Sequence, residues 1–384
     1  MLAALVLVRH VSERLTRRLN VRSEQCVGTA PARVSVVIPS YNYARYLPTA
    51  VESVLSQEGV NVDVIVVDDA STDDSVALSR SYAARTPRVA VLANERNRGP
   101  VDTFNKGLAR AEGEFVVRLD ADDALTPGSL ARSVDVARAY PSVGLVYGHP
   151  LHFEAEPLPE PRLKPSRWTL WPGTQWLELC CRAGANVITS PEALMRRSVV
   201  DVVGGQRLLA HTHDMEMWLR IAAFSDVAYV HGADQAWHRD HALSLSTRSV
   251  DVVVDFACRR DAFAELFTGM AGELPGAQAR WRTARRSLAR EALRFACHAY
   301  DRGRAEEQVV DSLVVFARGC EADVEMLPEW RQLERRRRLG NVATSRRPWF
   351  VARAAMRGVG SRMRHRRWSA TGMYVRYPLR RSFP

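Results

Sequence analysis

Val34-Ser35-Val36-Val37-Ile38-Pro39-Ser40-Tyr41-Asn42 opens with β-branched residues and stops at a proline followed by three polar residues. Such a run reads as a short buried strand ending in a loop. The signature returns at Val62 to Val67, Arg88 to Leu92, Phe115 to Leu119 and Val143 to Tyr147, each bounded by turn residues. Between these runs the period becomes helical. Leu47, Ala50, Val51, Val54 and Leu55 share one face around Pro48, and Asp73 and Asp74 open a segment carrying Val76 and Ala77. Alternating strand and helix predicts an α/β fold with a mostly parallel sheet, helices on both sides, and ligands at the carboxyl ends of the strands.

Farther out, Glu154 to Pro172 contains Pro157, Pro159, Pro161, Pro165 and Pro172 and reads as a long irregular loop shaping a binding site. Trp168 and Trp171 within it, and Trp176 just after it, offer apolar faces to a bound molecule or else pack in the core. Beyond about Arg248 the strand signals stop. Trp281, Ala284, Leu288, Ala292, Phe295 and Ala299 mark one helix face, and Val309, Leu313, Phe316 and Ala317 another. No repeat occurs at solenoid or propeller periods. The expected organisation is an N-terminal extension over 1–32, an α/β domain over 33–250, a helical appendage over 251–330 and a basic tail over 331–384.

The 384 residues, 46% hydrophobic and 25% charged, suffice for a full core and exclude a disordered or fibrous chain. The net charge of +11 is uneven: residues 331–384 carry 16 Arg, no Lys and one acid, Glu334, which leaves residues 1–330 at −4. Only the tail therefore raises nucleic acid or an anionic membrane as a partner. There Trp349, Phe350, Met356, Trp368, Tyr374 and Tyr377 interleave with arginines, which suits the interface of an anionic bilayer; a solvated basic tail is the plain alternative. The acidic body has no matching basic surface, so nucleic acid is not expected. Six cysteines (Cys26, Cys180, Cys181, Cys258, Cys297, Cys320) show no CxxC spacing, which suits a reducing cytosol. The apolar run Met1 to Val8 is too short to span a membrane and lacks the flanks of a signal peptide. The expected location is cytoplasmic, with any membrane contact peripheral.

The loops that end the first two strands, Pro39-Ser40-Tyr41-Asn42 and Asp68-Asp69-Ala70-Ser71-Thr72-Asp73, should lie side by side. Tyr41 could stack on a base and Asp69 accept from a base or ribose donor; equally, Asp73 could cap a helix and Tyr41 pack a turn. Leu119-Asp120-Ala121-Asp122-Asp123 sets three carboxylates within four residues, which repel unless a cation or donors sit among them. Hard oxygen ligands suit Mg²⁺ or Mn²⁺ bridging to a diphosphate, and an acidic solvated turn is the alternative. An EF-hand is excluded, because its glycine and closing glutamate are missing. Thr212-His213-Asp214 opens a helix whose Met215, Trp218, Leu219 and Ala222 share a face, with Thr212 as its cap. Asp214 then either compensates the helix dipole or acts as a general base. His211, His213, His238 and His241 raise zinc, but with no cysteine beside them and no HExxH it is not expected.

Together these residues resemble the family 2 glycosyltransferases of the GT-A fold, over about Arg33 to Ser246. Val34 to Asn42 is similar to the family's opening strand, Ser53-Val54-Leu55-Ser56-Gln57 to its first helix, and Val66 to Asp73 to its nucleoside loop. Asn97-Arg98-Gly99 and Asn105-Lys106-Gly107 resemble the segment before the aspartate motif, which is Asp120-Ala121-Asp122-Asp123. Ser190, Met195-Arg196-Arg197 and Val203-Gly204-Gly205 resemble the acceptor side, and His238-Arg239-Asp240-His241 the closing Tyr-Arg-x-His.

The resemblance implies that Pro39, Tyr41 and Asp69 hold the nucleoside of a nucleotide sugar, most often a uridine one. It makes Asp120 a ribose or metal contact, Asp122 the principal ligand of Mg²⁺ or Mn²⁺ with His241 a further ligand, and Asp214 the catalytic base. Two departures stand out: Phe104 replaces an arginine common in the family, and His213 replaces its usual glutamate. One base and one metal site imply direct displacement with inversion onto a hydroxyl acceptor in a glycan, glycolipid or surface polysaccharide, including a lipid-linked one. The rival from another class is a noncatalytic sugar-nucleotide or glycan-binding relative. A nucleotidyltransferase would instead carry a Gly- and Arg-rich phosphate loop near the first strand.

Overall fold

In a computed structural model of the chain, residues 14–24, 30–241 and 251–375 are described, and the β-branched runs pair into one ten-stranded sheet. Met1 to Val8, Cys26, Ser244, Ser246 and Tyr377 lie outside the described residues. The strands are β1 (Leu19–Arg22), β2 (Ala32–Ser40), β3 (Val60–Asp68), β4 (Val89–Ala93), β5 (Phe115–Arg118), β6 (Ala124–Leu125), β7 (Val143–Phe153), β8 (Arg167–Trp171), β9 (Leu194–Arg196) and β10 (Asp226–Arg239). Their order across the sheet is β1-β8-β10-β7-β9-β5-β2-β3-β4, with β6 paired to β10.

Strands β4, β3, β2 and β5 are parallel throughout. Their near-continuous valines and isoleucines are what a sheet covered on both faces requires. The helix Pro100–Arg110 packs on this half so closely that a Cβ on Gly107 would come 2.4 Å from Val37 Cγ1. The other half is mixed. β9 runs antiparallel to both β5 and β7, β7 and β10 are parallel, and β8 and β1 add antiparallel at the far edge. β1 arises from within residues 1–32, which the sequence sets apart as an extension.

The stretch Glu154 to Pro172 is irregular only in its first part, because Arg167–Trp171 is strand β8. Trp168, Trp171 and Trp176 are buried, and Trp176 Nε1 donates to the Tyr147 hydroxyl at 3.1 Å. Apolar burial has claimed the faces that an acceptor would have used.

The chain divides into two compact units, one holding Met1–Leu177, Ile188–Leu208 and His213–Arg248, the other Glu178–Val187, Leu209–Thr212 and Ser249–Pro384. The second unit is helical, with helices Val252–Thr268, Ala277–Asp301, Glu307–Cys320, Pro328–Leu339, Asn341–Arg346 and Pro348–Thr371. Ala284, Leu288, Ala292, Leu313, Phe316 and Ala317 face its core as their spacing predicts, whereas Phe295 is exposed. The described part of the basic tail is mostly helical too. Buried Arg336 donates to both carboxylate oxygens of buried Asp301, at 2.7 and 3.0 Å, and Phe350 and Trp368 are also buried. Among the described residues no helix is long and apolar enough to cross a membrane.

Candidate functional site

The loops after β2 and β3 are laced together. Asn42 and Ala70 adopt positive φ, 58° and 63°, turning both strand ends sharply. The Asn42 amide donates to Ser71 Oγ at 2.9 Å, and Thr72 N donates back to Asn42 Oδ1 at 2.8 Å. Asp73 accepts from Ala44 N and Ser75 N, each at 3.0 Å, so it starts the helix Ser75–Arg85 and ties the loops at once. Pro39 is half-buried within β2, while the Tyr41 ring stays at the surface, 43% exposed.

Asp69 carries structural hydrogen bonds as well as standing at the strand end. It is buried, with Oδ1 accepting from Asn94 Nδ2 (2.7 Å) and Arg98 N (2.8 Å) and Oδ2 from Gly99 N (2.8 Å). The carboxylate pins the Asn97-Arg98-Gly99 turn, and a nucleoside donor would find one lone pair left, on Oδ2.

Pairing of β6 with β10, Ala124 opposite Trp237, sets the aspartate loop against the end of β10. Each carboxylate then finds a different partner. Asp120 Oδ1 accepts from Arg118 Nε at 3.0 Å and Nη2 at 2.8 Å. Asp122 Oδ2 lies 2.7 Å from His241 Nε2. Asp123 is buried, accepts from Arg239 N at 2.9 Å, and lies 3.1 Å from His238 Nδ1. Burial first, and the charge of Asp120 second, raise the Asp122 carboxyl above its ordinary range, with His241 opposing. Burial likewise pushes Asp123 up to about 7. An acidic solvated turn would show neither burial nor such partners.

Asp214 lies in the first turn of the helix His213–Phe224. That helix is fixed by Arg220, which pairs with Glu216 at 2.7 Å and donates to the carbonyls of Val203, Gly204 and Gly205. Both members of the pair are buried. The next residue, Gln206, is clamped by Asn105, whose Oδ1 accepts from its amide and whose Nδ2 donates to its carbonyl, at 2.8 and 2.9 Å. A Cβ on Gly205 would stand 2.3 Å from Asn105 Oδ1, so the clamp needs glycine there. Gln206 Oε1 in turn accepts from Arg118 Nη1 at 3.0 Å.

Burial pushes the Asp214 carboxyl up to about 6, with the Arg118 guanidinium opposing and Asp120 assisting. Arg118 thus acts electrostatically on both Asp120 and Asp214. No motif marks Arg118, although an arginine within an apolar strand two residues before Asp120 is a signal, since a buried charge needs partners. Phe104 is buried, with Arg118 Cζ 5.7 Å from its ring centroid. His213 is buried, and the Thr212 hydroxyl, expected as a cap, donates to the Cys258 carbonyl at 2.8 Å.

The donors around Asp122 suit the cation implied for them. A carboxylate oxygen and an imidazole nitrogen 2.7 Å apart, beside a second carboxylate whose charge raises the first, form a set that a divalent ion would relieve.

Residues 35–204 match the family model described as Glycosyl transferase family 2. The succinoglycan biosynthesis protein ExoO of Rhizobium meliloti (strain 1021) is 43% identical over 106 residues, covering 28% of this chain and 30% of that protein. The chain therefore spans less than a third of that relative's length. Among solved structures, S. aureus TarS 1-349 in complex with UDP-GlcNAc superposes with a TM-score of 0.51 at 16% identity, covering 80% of this chain and 92% of that one. The mannosyltransferase PcManGT from Pyrobaculum calidifontis, in complex with GDP-Man and Mn²⁺, gives 0.50 at 18% identity, covering 93% and 91%. At these identities the structural likeness speaks for the fold.

Proposed function

Since the chain belongs to glycosyl transferase family 2 through residues 35–204 and has the GT-A fold, we propose that it transfers a sugar from a nucleotide-diphosphate donor, a UDP-sugar foremost, to an acceptor hydroxyl with inversion. The observation that carries this reading is the meeting of Asp122 and His241, 119 residues apart in sequence and 2.7 Å apart in space, at the strand ends that also hold Asp120 and Arg118.

Mg²⁺ or Mn²⁺ held by Asp122 and His241 would supply the charge that neutralises the leaving diphosphate. The chain's own groups do the rest. Tyr41 presents an exposed ring to the base, and Pro39 lines the same strand end. Asp120, oriented by Arg118, faces the ribose or the cation. Asp214 takes the proton from the acceptor hydroxyl, and its raised pKa makes it a better base than an ordinary carboxylate. Asp123 is buried and bonded to Arg239 and His238, so it is not free to serve as the nucleophile of a double displacement.

The relative named for succinoglycan biosynthesis points to a polysaccharide or its lipid-linked precursor as acceptor. An anionic membrane surface completes the proposal. Trp349, Ala352, Met356, Val359 and Met363 recur every three to four residues along one exposed stripe of the helix Pro348–Thr371, which carries six arginines and no acid. Apolar anchors flanked by cations suit anionic headgroups, at roughly 1 kcal/mol per arginine near the surface.

A screen of nucleotide sugars with Mn²⁺, read as nucleoside diphosphate released on adding acceptor, tests the reading. Binding without release would make the chain a noncatalytic sugar-nucleotide receptor.

A further inference from the structure

β7 and β10 run parallel with His152 and His238 directly in register. Register partners leave a sheet on the same face, and residues two apart along a strand share that face. Asp240, two positions after His238, continues this side just past the strand end. The three side chains meet there: His152 Nδ1 is 3.1 Å from Asp240 Oδ2, and His238 Nε2 is 3.9 Å from Asp240 Oδ1. The two rings stand edge to face at 5.1 Å, and one donor atom from each of the three residues lies within 4.8 Å of the others.

The back of the cluster is built as well. His238 Nδ1 faces the buried carboxylate of Asp123 at 3.1 Å, which leaves Nε2 turned toward Asp240. A carboxylate behind the far ring nitrogen is the arrangement that orients metal-bound histidines and raises their basicity. The Asp240 amide donates to the Phe153 carbonyl at 2.8 Å, so the two strand ends are already tied.

We propose that His152, His238 and Asp240 form a second cation site, for Zn²⁺ or a similar borderline divalent ion, separate from the pair Asp122 and His241. Two imidazoles and one carboxylate are a zinc donor set, whereas Mg²⁺ prefers oxygen alone. On binding, His152 keeps its single ring proton on Nε2 and offers Nδ1, His238 keeps the Nδ1 proton shared with Asp123, and the proton on His238 Nε2 goes to solvent. The donors must close to roughly 3.4 Å from one another to bind at about 2.1 Å. His152 and Asp240, with side chains 38% and 48% exposed, have the room to rotate, and His238 is the fixed member. A bound ion would clamp the ends of β7 and β10 and, through Asp123, steady the loop that carries Asp122. The proposal stands independently of glycosyl transfer.

The test uses the full chain, stripped by chelator and titrated with Co²⁺ alone. Visible absorption bands saturating at one equivalent without nucleotide, and displaced by Zn²⁺, are expected. His152→Ala and Asp240→Asn should each weaken Co²⁺ binding at least tenfold with unchanged circular dichroism, while Asp122→Ala keeps the bands. Mn²⁺-dependent nucleotide binding should respond in the opposite way, lost in Asp122→Ala and kept in His152→Ala. If His152→Ala fails to fold, His152→Gln is read by the same criterion. Absence of the bands in the unmodified chain, wild-type affinity in the His152 variant, or loss of the bands in Asp122→Ala would each overturn the site. Co²⁺ binding as expected in a chain that transfers no sugar would refute the transferase reading alone.

Discussion

The proton-accepting role of Asp214 has a pH signature. A carboxyl pushed to about 6 is roughly 90% ionised at pH 7 and roughly 10% at pH 5, so kcat/KM should fall about tenfold between them. A carboxyl at the ordinary 3.8 would lose only about 6% over that range. The sign follows from the role: a general base works deprotonated, so activity rises with pH through the folded-state pKa. Because the Arg118 guanidinium opposes the effect of burial, Arg118→Met should move the limb to higher pH. The assay is nucleoside diphosphate release from the donor found by screening, measured from pH 4.5 to 8. Asp214→Asn should lower kcat on the order of 10²-fold or more, leave donor affinity nearly unchanged, and remove the limb from the residual rate. A limb near pH 4, or one near 6 that survives in Asp214→Asn, would refute the reasoning. A limb that survives would belong to another group, with Asp123, pushed up to about 7 by burial, first in line. Near-normal turnover in Asp214→Asn with loss in His213→Gln would transfer the role to the histidine.

Asp122→Ala should abolish transfer and metal-dependent nucleotide binding while the fold persists, and turnover that survives both this change and EDTA would sink the metal assignment. Arg220→Met leaves Glu216 buried without its partner and should cost about 3–5 kcal/mol in urea denaturation; a loss under 1 kcal/mol would contradict that burial. Met356→Glu with Met363→Glu should release the protein from anionic vesicles in a sedimentation assay, and unchanged sedimentation would reject the membrane face. These point changes are a cleaner test than deleting residues 331–384, which would remove Arg336 from buried Asp301.

Much of this molecule is written in contiguous stretches. Period-two and continuous apolar runs mark β2, β3, β4 and β5 because each strand's burial is a property of its own residues, and strand ends expose the loops that follow. The aspartate loop and the turn carrying Tyr41 fall where such runs end, and Asp214 falls where a helical period begins. Tertiary structure alone decided what those residues touch. Folding delivers Asn94, Arg98 and Gly99 to the Asp69 carboxylate. For Trp168 and Trp171 the sequence leaves ligand contact and core packing both open, and β8 enters the sheet and takes them inside. Partners 119 residues apart, His241 and Asp122, meet through β6 and β10, and the register of β7 against β10 sets His152 beside His238. Hydrogen-bond ladders between distant strands set these encounters. A local pattern specifies which face of a strand is buried, but the neighbouring strand and its register are chosen by the packing of the whole sheet.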